Sequence, residues 1–237
     1  MGLIADGRND CEIHRLTGIP RETVRDWRSG PRDATLRSGR SICGTEEHDF
    51  AALPAGPYTY LLGMYLGDGY IARHPRGVWR LRIVSDSAYP GIIEECRLAM
   101  ETVMPGQRAY LFPRKSRCVE ISMYSKHWPC LFPQHGPGRK HDRTIRLELW
   151  QEQYVGRATD SFLRGLIHSD GCRVVANDRG VESVRYHFSN RSEDIKRLFC
   201  AALDTLSIPW TRPNDRGIAV YRKDAVARLN RFIGPKR

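Results

Sequence analysis

Two apolar segments, 102 residues apart, end in the same unusual way: a small residue, an aspartate, then a glycine. The first is Tyr60-Leu61-Leu62-Gly63-Met64-Tyr65-Leu66-Gly67-Asp68-Gly69-Tyr70, and the second is Phe162-Leu163-Arg164-Gly165-Leu166-Ile167-His168-Ser169-Asp170-Gly171. Each predicts a helix that stops at its last glycine. Gly63 and Gly67 stand four apart and share one helix face. A face without side chains admits another backbone at short range. Each helix also ends in a carboxylate beside apolar surroundings, where an unpaired charge is costly. A metal ion is one compensation, and the duplication implies that the helices form a pair.

The order of elements downstream of each helix repeats as well. After the first, residues 70–76 read as extended. Residues 78–85 alternate, with Trp79, Leu81 and Ile83 on one face and Arg80 and Arg82 on the other. Residues 88–103 carry helical spacing. Strands are expected at 109–112 and 119–124, and a helix at 127–132. Gly136-Pro137-Gly138-Arg139-Lys140-His141 then closes the unit. After the second helix, strands are expected at 173–176 and 183–188, a helix at 192–206, strands at 210–212 and 218–221, and a helix at 224–233. Gly234-Pro235-Lys236-Arg237 echoes the earlier closing run. The predicted fold class is α+β, a tandem αββαββα repeat.

Lys and Arg total 38 against 27 acids, a net charge of +11 spread along the chain, which points to a polyanionic partner and first to nucleic acid. The seven cysteines are odd in number and form no CxxC pair, so a disulfide framework or a zinc ribbon is not expected. No apolar run is long enough to span a bilayer, and the N-terminus does not read as a signal peptide. The expected setting is therefore cytoplasmic and nucleoid-associated, without a membrane partner.

Ahead of the repeat, residues 9–30 read as two short helices around Gly18-Ile19-Pro20, with Ile13, Leu16, Ile19, Val24 and Trp27 as a small core. Arg21, Thr23, Arg25 and Arg28 would lie exposed on the second helix, where a recognition helix presents its side chains. The stretch resembles the helix-turn-helix of resolvases and related bacterial regulators; a helical hairpin with no DNA role is the alternative. The organisation expected is a helix-turn-helix at 1–32, a linker rich in Gly, Ser, Pro and charge at 33–57, and two halves at 58–150 and 151–237.

The paired segments resemble the motif that names the LAGLIDADG homing endonucleases, over residues 58–237. That resemblance implies a single-chain pseudo-dimer that acts as a monomer. Two motif helices pack through Gly63, Gly67, Gly165 and Ser169, and two antiparallel sheets form a saddle over the major groove of double-stranded DNA. It also implies that Asp68 and Asp170, at the eighth motif position, hold Mg2+ at the scissile phosphates. The sixth position, often acidic in the family, is Leu66 and His168 here; it is not a metal ligand. By repeat position, Lys140 and Lys236 match catalytic lysines, or else generic phosphate contacts. Asp86 and Asn190 match residues that position the attacking water, or else caps of the helices after them.

Base contacts are expected from strands and turns: Arg73, Arg80, Arg82, Arg114 and Arg117 in the first half, and Arg173, Asn177, Arg179, Arg185, Asn214 and Arg216 in the second. The reading is a sequence-specific, Mg2+-dependent DNA endonuclease. The alternatives are a non-cleaving DNA-binding regulator on the same fold and an RNA-splicing maturase.

Overall fold

The computed structural model describes residues 6–19, 21, 24, 50–234 and 236. The chain divides into two units, residues 1–40 and 41–237.

In the first unit, helix α1 (Asp10–Thr17) opens with a capping box. The Asn9 side chain accepts from the N–H groups of Cys11 and Glu12, and Glu12 reaches back to the Asn9 N–H. Gly18, at φ 71°, ends the helix in the left-handed conformation that glycine adopts freely. Ile13 and Val24 are buried, but Leu16, expected beside them, is 60% exposed in the last turn, where the chain leaves the helix. Arg21 is exposed, with its guanidinium 3.5 Å from Cys11 Sγ. Thr23, Arg25, Arg28 and residues 33–49 of the expected linker lie outside the described residues.

The second unit runs α2 (Ala55–Asp68), β1 (Gly69–His74), β2 (Val78–Asp86), α3 (Pro90–Val103), β3 (Tyr110–Arg114), β4 (Cys118–Ser125) and a short α4 (Trp128–Leu131). It continues through α5 (Leu149–Arg157), α6 (Thr159–Asp170), β5 (Gly171–Asp178), β6 (Val181–Ser189), α7 (Glu193–Thr205), β7 (Gly217–Val220) and α8 (Lys223–Asn230). Both sheets are antiparallel, in the orders β1-β2-β4-β3 and β5-β6-β7. The strand expected at 210–212 shrinks to a single bridge between Thr211 and Ala219. Pro209 and Pro213 flank it, and neither has an N–H to donate to a ladder.

Two features depart from the expected boundaries. Residues 50–57, read as linker, pack on the body: the Phe50 ring stacks on Trp150 at 4.2 Å, and α2 already starts at Ala55. Helix α5 was not expected. It opens with a capping box between Glu148 and Gln151 and carries the buried Gln151 against α2. Gln151 donates to the Tyr58 hydroxyl at 2.8 Å, and Tyr58 donates to the Leu131 carbonyl at 2.9 Å.

The centre of the unit is the α2–α6 pair, where Leu61, Leu62, Leu66, Phe162, Leu163 and Leu166 are fully buried. Gly63 and Gly165 set how closely the helices approach: a methyl on Gly63 would sit 2.6 Å from the Phe162 carbonyl oxygen and 2.7 Å from Leu166 N. Each sheet turns one face to the helices, through Leu81, Ile83, Ile121 and Met123 in the first and Tyr186, Phe188, Ile218 and Val220 in the second. The other face of the first sheet presents Tyr70, Tyr110, Phe112 and Tyr124 to solvent.

Candidate active site at the end of the paired helices

Helices α2 and α6 both terminate on their aspartate, and the next residue begins a strand. The strand turns back so tightly that only glycine fits. A methyl on Gly69 would lie 2.8 Å from the Tyr65 carbonyl oxygen, and one on Gly171 2.8 Å from Ile167 Cα. Asp68 and Asp170 thus meet at one mouth of the pair. A carboxylate is poorly placed at a helix C-terminus, where unpaired carbonyls already concentrate negative charge.

Lys140 and Lys236 answer this. Lys140 Nζ donates to the Gly67 carbonyl and Lys236 Nζ to the His168 carbonyl, each at 2.8 Å. Each lysine therefore closes the helix of its own half. The charges cross over: Lys140 is held protonated most by Asp170, and Lys236 most by Asp68. Burial pulls both lysines down, Lys140 to about 8, and the two carboxylates oppose that pull.

The Asp68 carboxyl is pushed up to about 6, first by loss of hydration and then by the neighbouring Asp170 charge, with Lys140 and Lys236 pulling it down. Asp68 is nevertheless open to solvent. Water screens part of that burial cost, so repulsion from Asp170 is the contribution the geometry fixes most firmly. Asp170 is also raised by burial, and the Asn190 hydrogen bond and the lysines restrain the rise. Asn190 Nδ2 donates to Asp170 Oδ2 at 2.6 Å, while its Oδ1 accepts from Ser192 N–H at 2.7 Å. Asp86, its counterpart, accepts from Ala88 N–H at 2.9 Å and is exposed. A cleft of about 320 Å3 opens beside Asp170, lined by Asn190, Lys140, Arg139, His141 and Arg191. The last three were not anticipated, although the Gly136–His141 run held the signal for two of them.

Among the described residues, no cluster of three His, Cys, Asp or Glu side chains forms a ready cage for a metal. Two carboxylates at an open mouth instead suit Mg2+, which keeps several waters and takes one or two carboxylates plus substrate phosphates. The mutual repulsion of Asp68 and Asp170 is what a cation would relieve.

The expected base contacts divide by strand register, since directly paired residues share a face. Arg80 and Arg82 pair with Tyr124 and Ser122 on the solvent face, and Arg114 lies on the same face of β3. All three converge on Glu120, an acid that no local sequence pattern singles out; the partner distances are 2.5 Å to Arg80 and 2.9 Å to Arg82. Glu120 is fully covered, by the arginine side chains rather than deep in the core. Burial alone would raise its pKa; the three arginines outweigh that and hold it below the usual range. Arg80 also lies over the rings of Phe112 and Tyr124.

In the second sheet, Arg185 faces outward over Tyr221. Arg117 and Arg179 are exposed at hairpin turns with φ of 57° and 55°. Asn177 and Asn214 are exposed but build their turns, accepting from Gly180 and Arg216 N–H groups. Arg216 is exposed beside them. Arg73 pairs with Trp79 and Arg173 with Tyr186, on the sheet faces opposite the outward arginines; Arg73 is exposed near the end of β1, and Arg173 is tied to Asn230 Oδ1 at 3.0 Å.

No protein-family model matches the sequence, and no curated protein matches it. Solved structures do. The homing endonuclease I-DmoI in complex with DNA and Mn matches at 15% identity, over 77% of this chain and 98% of that one, with a TM-score of 0.51. A variant of I-DmoI with its target DNA in the presence of Mg matches at 15% identity, over 76% of this chain and 96% of that one, also with a TM-score of 0.51. The N-terminal LAGLIDADG domain of DUF199/WhiA matches at 14% identity, over 77% and 83%, with a TM-score of 0.44. At these identities the likeness is one of fold.

Proposed function

Because the chain has the LAGLIDADG fold, we propose that it is a sequence-specific double-stranded DNA endonuclease of the homing type. The observation that carries this reading is the convergence of Asp68, Asp170, Lys140, Lys236 and Asn190 at one mouth of the helix pair. Asp68 and Asp170 would hold Mg2+. When bound, the ions would supply Lewis-acid stabilisation of the phosphate and a more acidic water. Asn190 fixes the orientation of the Asp170 carboxylate. Lys140 and Lys236 offset the negative charge that develops as the phosphodiester is attacked.

One chain supplies both halves, so the active form is a monomer. The outward arginines Arg80, Arg82, Arg114, Arg117, Arg179 and Arg185, with Arg216, line the DNA side and release counterions on binding. The N-terminal unit, through Arg21, Thr23, Arg25 and Arg28, adds a contact outside the cleaved site. The two sheet faces differ in sequence, so the target is asymmetric. A DNA-binding chain of charge +11 works at the nucleoid.

A plasmid library of randomised targets, incubated with the protein and Mg2+, tests the proposal. Cleavage at a defined sequence is expected, and it should vanish in Asp68→Asn and in Asp170→Asn while DNA binding persists. Tight, specific, metal-independent binding without any cutting would overturn the nuclease and establish a non-cleaving DNA-binding protein instead.

A further inference from the structure

Lys236 lies beyond the last helix, on a segment that has to be brought to the mouth. We infer that Arg164 and His168 of the second motif helix are positioning residues that clamp this segment, and that Glu95 and Tyr60 of the first half lock the clamp. Lys236 is then delivered only when the two halves are docked. The effect on rate rests on the cleavage reading above; the clamp itself does not.

The bonds run in two chains. Arg164 Nη1 donates to the Phe232 carbonyl. The same guanidinium is held by Glu95 of α3, Nη2 donating to Oε2 at 2.7 Å and Nε in ion-pair contact with Oε1 at 2.7 Å. One helical turn on, the His168 ring meets the Tyr60 hydroxyl through Nδ1 at 3.1 Å, with the Glu95 carboxylate 3.8 Å from the same nitrogen. A neutral imidazole has one acceptor and one donor nitrogen. With Tyr60 donating to Nδ1, the proton of the neutral ring sits on Nε2. The Phe232 carbonyl of the segment is thus pinned from α6, and Arg164 and His168 are each braced by a residue of the opposite half.

Two further ties continue the hold: Tyr186 donates to the Gly234 carbonyl at 3.2 Å, and Arg173 secures Asn230. Lys236 Nζ then lands on the His168 carbonyl, so the helix that pins the segment at Phe232 also receives its end. Dense packing does not do this work alone. A cavity of about 470 Å3 lies among Glu95, Arg164, His168, Asn230, Phe232 and Gly234, and the directed bonds cross its walls. The motif position often acidic in related folds is here a buried histidine, whose ring meets Tyr60 of the opposite half while its carbonyl receives Lys236.

Two readouts test this. The first needs no activity: brief acetylation of the full chain with an amine-reactive reagent, with Lys236 occupancy read by mass spectrometry against exposed Lys115 as internal reference. Arg164→Ala should raise Lys236 labelling severalfold. Glu95→Gln, which keeps shape and removes only the brace charge, should raise it less, and Arg164→Lys should restore part of the protection. The second readout is single-turnover cleavage at saturating protein. Arg164→Ala should slow it by roughly 10^2-fold, the scale of a misplaced catalytic group. DNA affinity should stay within about twofold, as expected when a group acts only at the transition state. Adding Lys236→Ala to Arg164→Ala should cost nothing more. Unchanged Lys236 labelling in both Arg164→Ala and Glu95→Gln would overturn the clamp, whether or not the protein cuts DNA. Raised labelling with no cleavage by the native chain would leave the clamp standing and remove the nuclease reading. Fully additive rate losses would place Arg164 in a separate role and refute delivery of Lys236.

Discussion

Gly63→Ala is a sharp test of the helix pair. The added methyl would sit 2.6 Å from the Phe162 carbonyl oxygen, 2.7 Å from Leu166 N and 2.9 Å from Gly165 C, whereas ordinary contact begins at 3.4 Å. All three atoms are backbone, so no rotamer change relieves the clash, and the helices must separate by roughly 0.8 Å, the shortfall from ordinary contact. Overpacking of this kind costs about 1–3 kcal/mol. Replacing a helical glycine by alanine returns about 1 kcal/mol of propensity.

The net expectation is a loss of up to about 2 kcal/mol, read as a lower urea midpoint at unchanged slope. Gly156→Ala is the matched control. It lies in α5 with nothing within 4 Å of the added methyl, so it should gain about 0.5–1 kcal/mol. If Gly63→Ala proves as stable as Gly156→Ala, the close backbone approach of α2 and α6 is wrong, and with it the placement of the two aspartates. The widened pair should also weaken cleavage, because Asp68 and Asp170 ride on the two helices.

The remaining predictions concern charge. Asp68 is raised to about 6, so the folded chain binds a proton that the unfolded chain has lost, and in metal-free buffer stability should fall as pH rises from about 4 to about 6. Asp68→Asn should abolish that slope and stabilise the metal-free protein at pH 7, with no gain at pH 4; thermal melts across pH check both. Glu120 behaves oppositely. Its pKa is held low, so its contribution is present above the unfolded value and lost as pH falls through the folded one. Glu120→Gln should cost about 1–3 kcal/mol, discounted because its arginine partners are part-exposed. It should also steepen the salt dependence of non-specific DNA binding, by freeing Arg80, Arg82 and Arg114; a slope equal to that of the native chain would refute their restraint by Glu120.

Local pattern made much of this molecule legible. Alternation in 78–85 put Leu81 and Ile83 inward and Arg80 and Arg82 outward, because strand periodicity is two and one face must be buried. The repeat and its terminal Asp-Gly pairs located the two helices, because a glycine is the residue that lets a strand leave so close to the last turn. Other features were invisible for physical reasons. Only cross-strand register reveals that Arg73 and Arg173 lie on the sheet faces opposite the outward arginines. The strand lost at 210–212 was overridden by its flanking prolines.

By itself, then, the sequence determined the duplicated helix-strand-strand-helix order that opens each half, the helix ends at Asp68 and Asp170, and the basic surface. These arise from periodicity, glycine placement and composition, which act within a few residues. Tertiary structure alone decided which charges meet. It brought Glu120 under three arginines, set each lysine to close its own helix beside the two aspartates, and set the His168 carbonyl to receive Lys236. Such pairings depend on the relative placement of elements dozens of residues apart, and no local propensity encodes that distance.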